Sequence, residues 1–259
     1  MTRLAANLSM LFGERDFLDR FETAAKAGFK GVEYLFPYES SIEDVRDALA
    51  SNGLTQVLFN FPAGNWAAGE RGLAALPERS SEFRDGVGPA LEYAKATGCK
   101  RLHAMAGCVT GTPVTQEHLD TYAENVCYAA DAVAGDGIEV MVEPINSRID
   151  MPGYVMDTTA KASAVLEAVD RTNVRIQYDI YHMQIMEGDL ARNIDALLPK
   201  IGHIQLADNP GRNEPGTGEI NYPWLLAHLD KIGYTGWIGC EYKPAAGTVE
   251  GLGWAADYL

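Results

Sequence analysis

Residues 138–179 read IEVMVEPINSRIDMPGYVMDTTAKASAVLEAVDRTNVRIQYD. Two short β-rich runs, Ile138–Glu143 and Val174–Asp179, bracket a segment, Thr158–Val169, with helical spacing. A strand, a helix and a second strand in succession require parallel strands joined by a crossover. Both runs close on an acid, Glu143 and Asp179. In strands covered on both faces a carboxylate at the last residue is the informative exception.

The same alternation extends in both directions. Leu4–Ser9, Gly31–Phe36, Thr55–Asn60 and Arg101–Ala106 precede the stretch, and His203–Ala207 and Trp237–Tyr242 follow it, which makes eight strand candidates. Between them, Asp16–Ala27 places Phe17, Leu18, Phe21, Ala24 and Ala25 on one helical face, and Ser41–Ser51 opens on Ser41 as an N-cap with Asp44 three residues later. Further helices are expected at Ser80–Thr97, Thr115–Ala134, Gly188–Leu198 and Tyr222–Asp230, with a short one near the C-terminus. Eight strand–helix units without a break in composition predict an α/β fold: a single (β/α)8 TIM barrel, residues 1–259 forming one domain. An open doubly wound sheet would carry GxGxxG after its first strand, where AANLSMLFGE stands; no GxxxxGK[ST] loop occurs either.

The 259 residues are 47% hydrophobic, enough for a large core. The net charge of −15 repels phosphate backbones and anionic membranes, so neither nucleic acid nor a membrane surface is an expected partner. Cys99, Cys108, Cys127 and Cys240 show no CxxC spacing and read as structural thiols of a reducing compartment. Met1 leads into TRLAANLSM without a signal-peptide pattern, and no segment reaches the ~20 apolar residues of a membrane span, so a cytoplasmic protein is expected.

Four late strands carry an oxygen-bearing side chain at or near their ends: Glu143, Asp179, Gln205 in HIQLAD and Glu241 in WIGCEY. The C-terminal ends of barrel strands converge, so these four are expected around one pocket. Three like charges there call for a cation, and oxygen donors favour Mg²⁺ or Mn²⁺ over zinc. A lone acid after a strand is more often a helix N-cap; four at matched positions favour a site. His182, three residues beyond Asp179, is either a core residue or a hydrogen-bond donor to substrate. His103 and His203 read as structural at least as readily as functional. Arg71, Arg212 and Lys243 are cations near strand-end loops, with Arg71 and Lys243 favoured for a substrate carboxylate, and Trp66 is a candidate cover for the pocket.

The segments AANLSMLFGE, GVEYLFPYE, PAGNWAAGERG, EPIN, IQYDIYHMQ, EPGTGEINY and GWIGCEYKP, spread from Ala5 to Pro244, resemble the hydroxypyruvate isomerase family of the xylose isomerase-like barrel superfamily. The resemblance implies an intramolecular oxidoreductase of the aldose–ketose isomerase type, interconverting hydroxypyruvate and 2-hydroxy-3-oxopropanoate by proton transfer through an enediolate, with no nucleotide cofactor required and a role in glyoxylate metabolism. It implies that Glu143 and Glu241 are the proton donor/acceptor pair, with a metal site at Glu143, Asp179, Gln205 and Glu241. Related ketose 3-epimerases have His where this chain has Gln205, which leaves the metal requirement open. The expected partner is a small anionic hydroxy-oxo acid, bound by His182, Arg71 and Lys243; exposed aromatic loops suggest a homo-oligomer. The 2-oxotetronate isomerases share AANLSM and GWIGCEYKP, and LHAMAG leans toward them, so they and the ketose 3-epimerases are the alternative. A zinc endonuclease would need more histidines than this chain's five, and a silent barrel would not keep both glutamates and Asp179.

Overall fold

The computed structural model describes residues 2–259; Met1, where the expected domain begins, lies outside the described residues. Eight strands, β1 (Arg3–Asn7), β2 (Gly31–Glu33), β3 (Thr55–Asn60), β4 (Arg101–His103), β5 (Glu139–Val142), β6 (Val174–Asp179), β7 (Ile201–Leu206) and β8 (Trp237–Cys240), form a closed parallel barrel in sequence order. Leu4 of β1 pairs with Ile238 of β8, which closes the ring. The helices are α1 (Asp19–Lys26), α2 (Ile42–Asn52), α3 (Ser80–Asp85), α4 (Val87–Thr97), α5 (Gln116–Val133), α6 (Thr159–Val169), α7 (Ile180–Met186), α8 (Leu190–Leu197) and α9 (Tyr222–Lys231). The expected (β/α)8 architecture is therefore the observed one.

Alternation along each strand explains two separate apolar regions. Val140, Val142, Ile176, Ile204 and Ile238 point outward and pack in the large core with helix residues such as Val126, Val165 and Leu229. A smaller cluster of Ala5, Val57, Leu58, Met141 and Trp237 fills the barrel's interior. Gly31 makes room for it: a Cβ there would stand 2.8 Å from the Trp237 ring. The Arg3 guanidinium lies 3.8 Å from the Trp237 ring centroid, a contact of about 0.5–1 kcal/mol at an exposed edge.

Local chemistry sets the departures from the expected elements. β4 stops at His103, because Ala106 instead forms an antiparallel bridge with Gly72. The helix expected over Ser80–Thr97 is two, broken at Gly86: Pro89 has no N–H to give Asp85, so α3 ends and a new helix starts with proline in its first turn. The expected C-terminal helix is a 3-10 segment, Glu250–Ala255. α2 keeps its expected cap, the Ser41 hydroxyl accepting from Asp44 N–H at 3.1 Å.

Among the described residues, no helix is long and apolar enough to cross a membrane.

Candidate active site

The barrel interior changes character toward its C-terminal end. Asn7, Glu33, His103, Glu143, Gln177, His203, Gln205 and Glu241 are all buried there, where burial is costly unless partners are supplied. A cavity of about 70 Å³ opens among them, lined on its polar side by Glu143, His182, Gln205, Arg212 and Glu241 and on its apolar side by Met10, Leu35, Trp66, Met105 and Met151.

Glu143 follows β5 and Glu241 follows β8, and the closed ring turns both inward. One potential ligand atom from each of Glu143, Asp179, His182 and Glu241 lies within 4.8 Å of the others. Asp179 serves two ends at once. Its Oδ1 accepts from Tyr181 N–H (2.8 Å) and His182 N–H (3.3 Å), starting α7, a helix the sequence reading did not expect. Its Oδ2 is buried without a hydrogen-bond partner among the described residues, as is Oε1 of Glu143.

Burial, and then the neighbouring Glu241 and Asp179 charges, push the Glu143 carboxyl well above its usual range. Burial likewise raises Glu241 far above it, against the opposing pull of Arg212. Asp179 is raised by burial, with Arg212 and the two backbone N–H groups limiting the shift. The Arg212 guanidinium is the local counterweight: Nη2 stands 3.1 Å from Glu241 Oε2 and 4.0 Å from Asp179 Oδ2, and Nη1 stands 3.3 Å from Asp150 Oδ1. Burial works against its charge, but Glu241, Asp179, Asp150 and Glu143 together raise its pKa.

The loop carrying Arg212 is fixed by the chain's own polar groups. Asp208 Oδ2 accepts from Gly216 and Gly218 N–H (both 2.9 Å), and its Oδ1 accepts from Ile220 N–H at 3.0 Å. Arg212 itself has φ 53°, sparsely populated for a residue with a side chain, and Lys243 N–H holds its carbonyl at 2.8 Å.

The hydrogen bonds around His182 define its tautomer. Asn146 Oδ1 accepts from Ile149 N–H (3.0 Å) and Asp150 N–H (2.9 Å), so its NH₂ group faces Asp150 Oδ2 (2.6 Å) and His182 Nδ1 (2.7 Å). Nδ1 accepts, and Nε2 therefore carries the hydrogen of a neutral ring. Burial and the Arg212 charge hold the His182 pKa well below its usual value. Burial pushes His103 down to about 3, and its Nδ1 lies 3.4 Å from Glu143 Oε2.

The expected site residues thus fall into two groups. Glu143, Gln205, Glu241 and His182 line one cavity, with Asp179 beside them. Arg71 and Lys243 do not line it. The Arg71 guanidinium stacks 4.1 Å from the Trp66 ring centroid and donates to the Trp66 and Glu70 carbonyls, while Lys243 is exposed. Of the three candidate cations the cavity is lined by Arg212, because sequence proximity to a strand end does not report which way a loop turns. Trp66 does line the cavity, as expected. Glu33 was missed: it lies inside the expected run Gly31–Phe36 rather than at its end, and only the structure ends the strand there.

The residues present fit a divalent cation. Three buried carboxyls, two of them with an unpartnered oxygen, form a hard donor set, and the neutral His182 ring stands beside them with Nδ1 engaged by Asn146. Gln205 pairs with Asp179 in the strand register and lines the same cavity.

A closed barrel with an acidic, cation-compatible mouth and a fixed arginine defines the class, a (β/α)8 protein with its chemistry at the C-terminal face. The chain matches the model of the xylose isomerase-like TIM barrel family over residues 21–258, and it belongs to that family. It is 51% identical to the 2-oxo-tetronate isomerase of Cupriavidus necator, over 100% of this chain and 99% of the relative. It is 49% identical to the hydroxypyruvate isomerase of Escherichia coli over the full length of both. The crystal structure of an AP endonuclease, family 2, from Brucella melitensis superposes with a TM-score of 0.96 at 50% identity, covering 100% of this chain and 99% of that one.

Proposed function

We propose that this chain is an isomerase of short hydroxy-oxo acids that interconverts hydroxypyruvate and 2-hydroxy-3-oxopropanoate through an enediolate. The observation that carries this reading is the convergence of Glu143 and Glu241, from opposite parts of the sequence, on one cavity with Asp179 and His182. Two carboxyls facing one cavity suit a pair in which one removes a proton and the other delivers one, and burial raises the proton affinity of both.

In the forward direction the ionised glutamate removes a proton from C3 of hydroxypyruvate, and the protonated one delivers a proton to C2. The hydroxyl proton on O3 is given up as the carbonyl forms there, and O2 gains one, so the atoms balance. His182 presents Nε2–H to a substrate oxygen, its ring held by Asn146. Arg212 receives the substrate carboxylate, in the place assigned from sequence to Arg71 and Lys243. Glu143, Asp179, Gln205 and Glu241, with His182 adjacent, would hold the Mg²⁺ or Mn²⁺ ion. Such an ion supplies positive charge beside the enediolate oxygens.

We also read the whole chain as one domain, and the four free cysteines are in keeping with a cytoplasmic setting. The 51% identity to a 2-oxo-tetronate isomerase favours a second reading with a four-carbon acid in the same site. Incubating the purified protein with hydroxypyruvate and with 2-oxotetronates, and identifying products by NMR, separates the two. Turnover of hydroxypyruvate at the higher kcat/KM supports the first reading, and preference for the four-carbon acid replaces it with the second.

A further inference from the structure

Beneath the acidic mouth lies a buried carboxyl that the proton-transfer scheme does not use. Glu33 is fully buried, and its Oε1 accepts from Asn7 Nδ2 (3.0 Å) and Gln205 Nε2 (2.7 Å), while Oε2 meets His203 Nε2 at 2.7 Å. Gly239 leaves the space this carboxylate occupies, for a Cβ there would collide with both of its oxygens.

The consequence falls on Gln205. A side-chain amide has two faces of opposite character, a donor NH₂ and an acceptor oxygen, nearly equal in shape. A carboxylate oxygen can only accept, so Glu33 takes the NH₂ face and turns Oε1 away from itself. Gln177 Nε2 then donates to that oxygen at 2.6 Å, leaving its second lone pair. In the opposite orientation Gln205 would present N–H donors where a cation needs an electron pair.

We propose that Glu33 is a positioning residue: it fixes the Gln205 amide so that its oxygen is offered to the cation site formed with Glu143, Asp179 and Glu241. The proposal rests on the metal reading above and extends it to a carboxyl at the floor of the same cavity, whose oxygens are engaged by Asn7, Gln205 and His203. Partners that orient a ligand in this way alter metal affinity by about 10- to 100-fold.

The test is Mn²⁺ binding followed by the loss of the free-ion EPR signal, with no substrate present, on the wild type, Glu33→Gln and Glu33→Asp. Glu33→Gln removes the accept-only character, and Glu33→Asp withdraws the carboxylate by one methylene while keeping its chemistry, so either variant that folds by circular dichroism carries the test. The expected result is Mn²⁺ binding by the wild type and affinity about 10- to 100-fold weaker in the variants. Wild-type affinity in a folded variant overturns the positioning role alone and leaves the metal site standing. Absence of Mn²⁺ binding by the wild type overturns the metal site and the positioning role with it.

Discussion

Arg212 Nη2 lies 3.1 Å from Oε2 of Glu241, and the same guanidinium reaches Asp150 with its other arm at 3.3 Å. One cation from the loop after β7 thus ties the acid after β8 to the loop after β5. Its fork geometry suits a carboxylate, so a substrate acid entering the cavity meets a cation already in place.

Replacing Arg212 by lysine keeps the charge and loses the fork. Hydrogen bonds to charged groups contribute about 1.5–3 kcal/mol, so KM for the hydroxy-oxo acid is expected to rise about 10- to 100-fold, with kcat changed less. Steady-state kinetics with hydroxypyruvate provides the check, and an unchanged KM would remove Arg212 as the carboxylate partner.

Glu143→Gln and Glu241→Gln remove the two proton carriers while conserving shape. Each is expected to lower kcat at least about 10²-fold, with the far-ultraviolet circular dichroism of the barrel retained. Near-normal turnover in either variant would remove its assigned role.

The buried carboxyls also make a stability prediction. Glu143, Asp179 and Glu241 have folded-state pKa values raised above the unfolded ones. Above the usual carboxylate range of about 4–4.5, the native state therefore binds more protons than the unfolded chain. This stabilisation is complete below the unfolded values and is lost as pH rises through the raised folded ones. His103 and His182, with lowered values, act oppositely and cost stability as pH falls through about 6.5. In the presence of chelator, Tm of the wild type should fall as pH rises above about 4.5 more steeply than Tm of Glu143→Gln. Parallel curves would contradict the assignment, and added Mn²⁺ should raise the wild-type Tm by binding the native state.

Gly239→Ala places a methyl against the buried Glu33 carboxylate. Overpacking of this kind costs about 1–3 kcal/mol, so urea denaturation should show a lower midpoint at an unchanged slope. A variant as stable as the wild type would mean that Glu33 has room to move.

The barrel was legible because strands covered on both faces must be mostly apolar, and eight such runs alternate with helical segments at regular intervals. The acids at the ends of β5, β6 and β8 stood out against that background. Other features depend on contacts that periodicity does not encode. α7 was hidden because its N-cap, Asp179, read as a site residue, and it is both. Arg212 could not be told from Arg71 and Lys243 because loop direction is set by the Asp208 hydrogen bonds and by a left-handed backbone at Arg212 itself. Glu33 shows the limit from the other side: the expected strand ran past it to Phe36, and only the structure ends the strand there and reveals its contacts with Gln205 and His203.

The most direct measurement follows hydrogen at C3 of hydroxypyruvate by NMR in D₂O, with the wild type, Glu143→Gln and Glu241→Gln. Deuterium entering C3 or the product's C2 in the wild type, and slowed at least about 10²-fold in both variants, is the predicted result. Isomerisation that proceeds at the wild-type rate in the variants, or product formed by the wild type with no exchange even at partial conversion, would contradict proton transfer by this carboxyl pair.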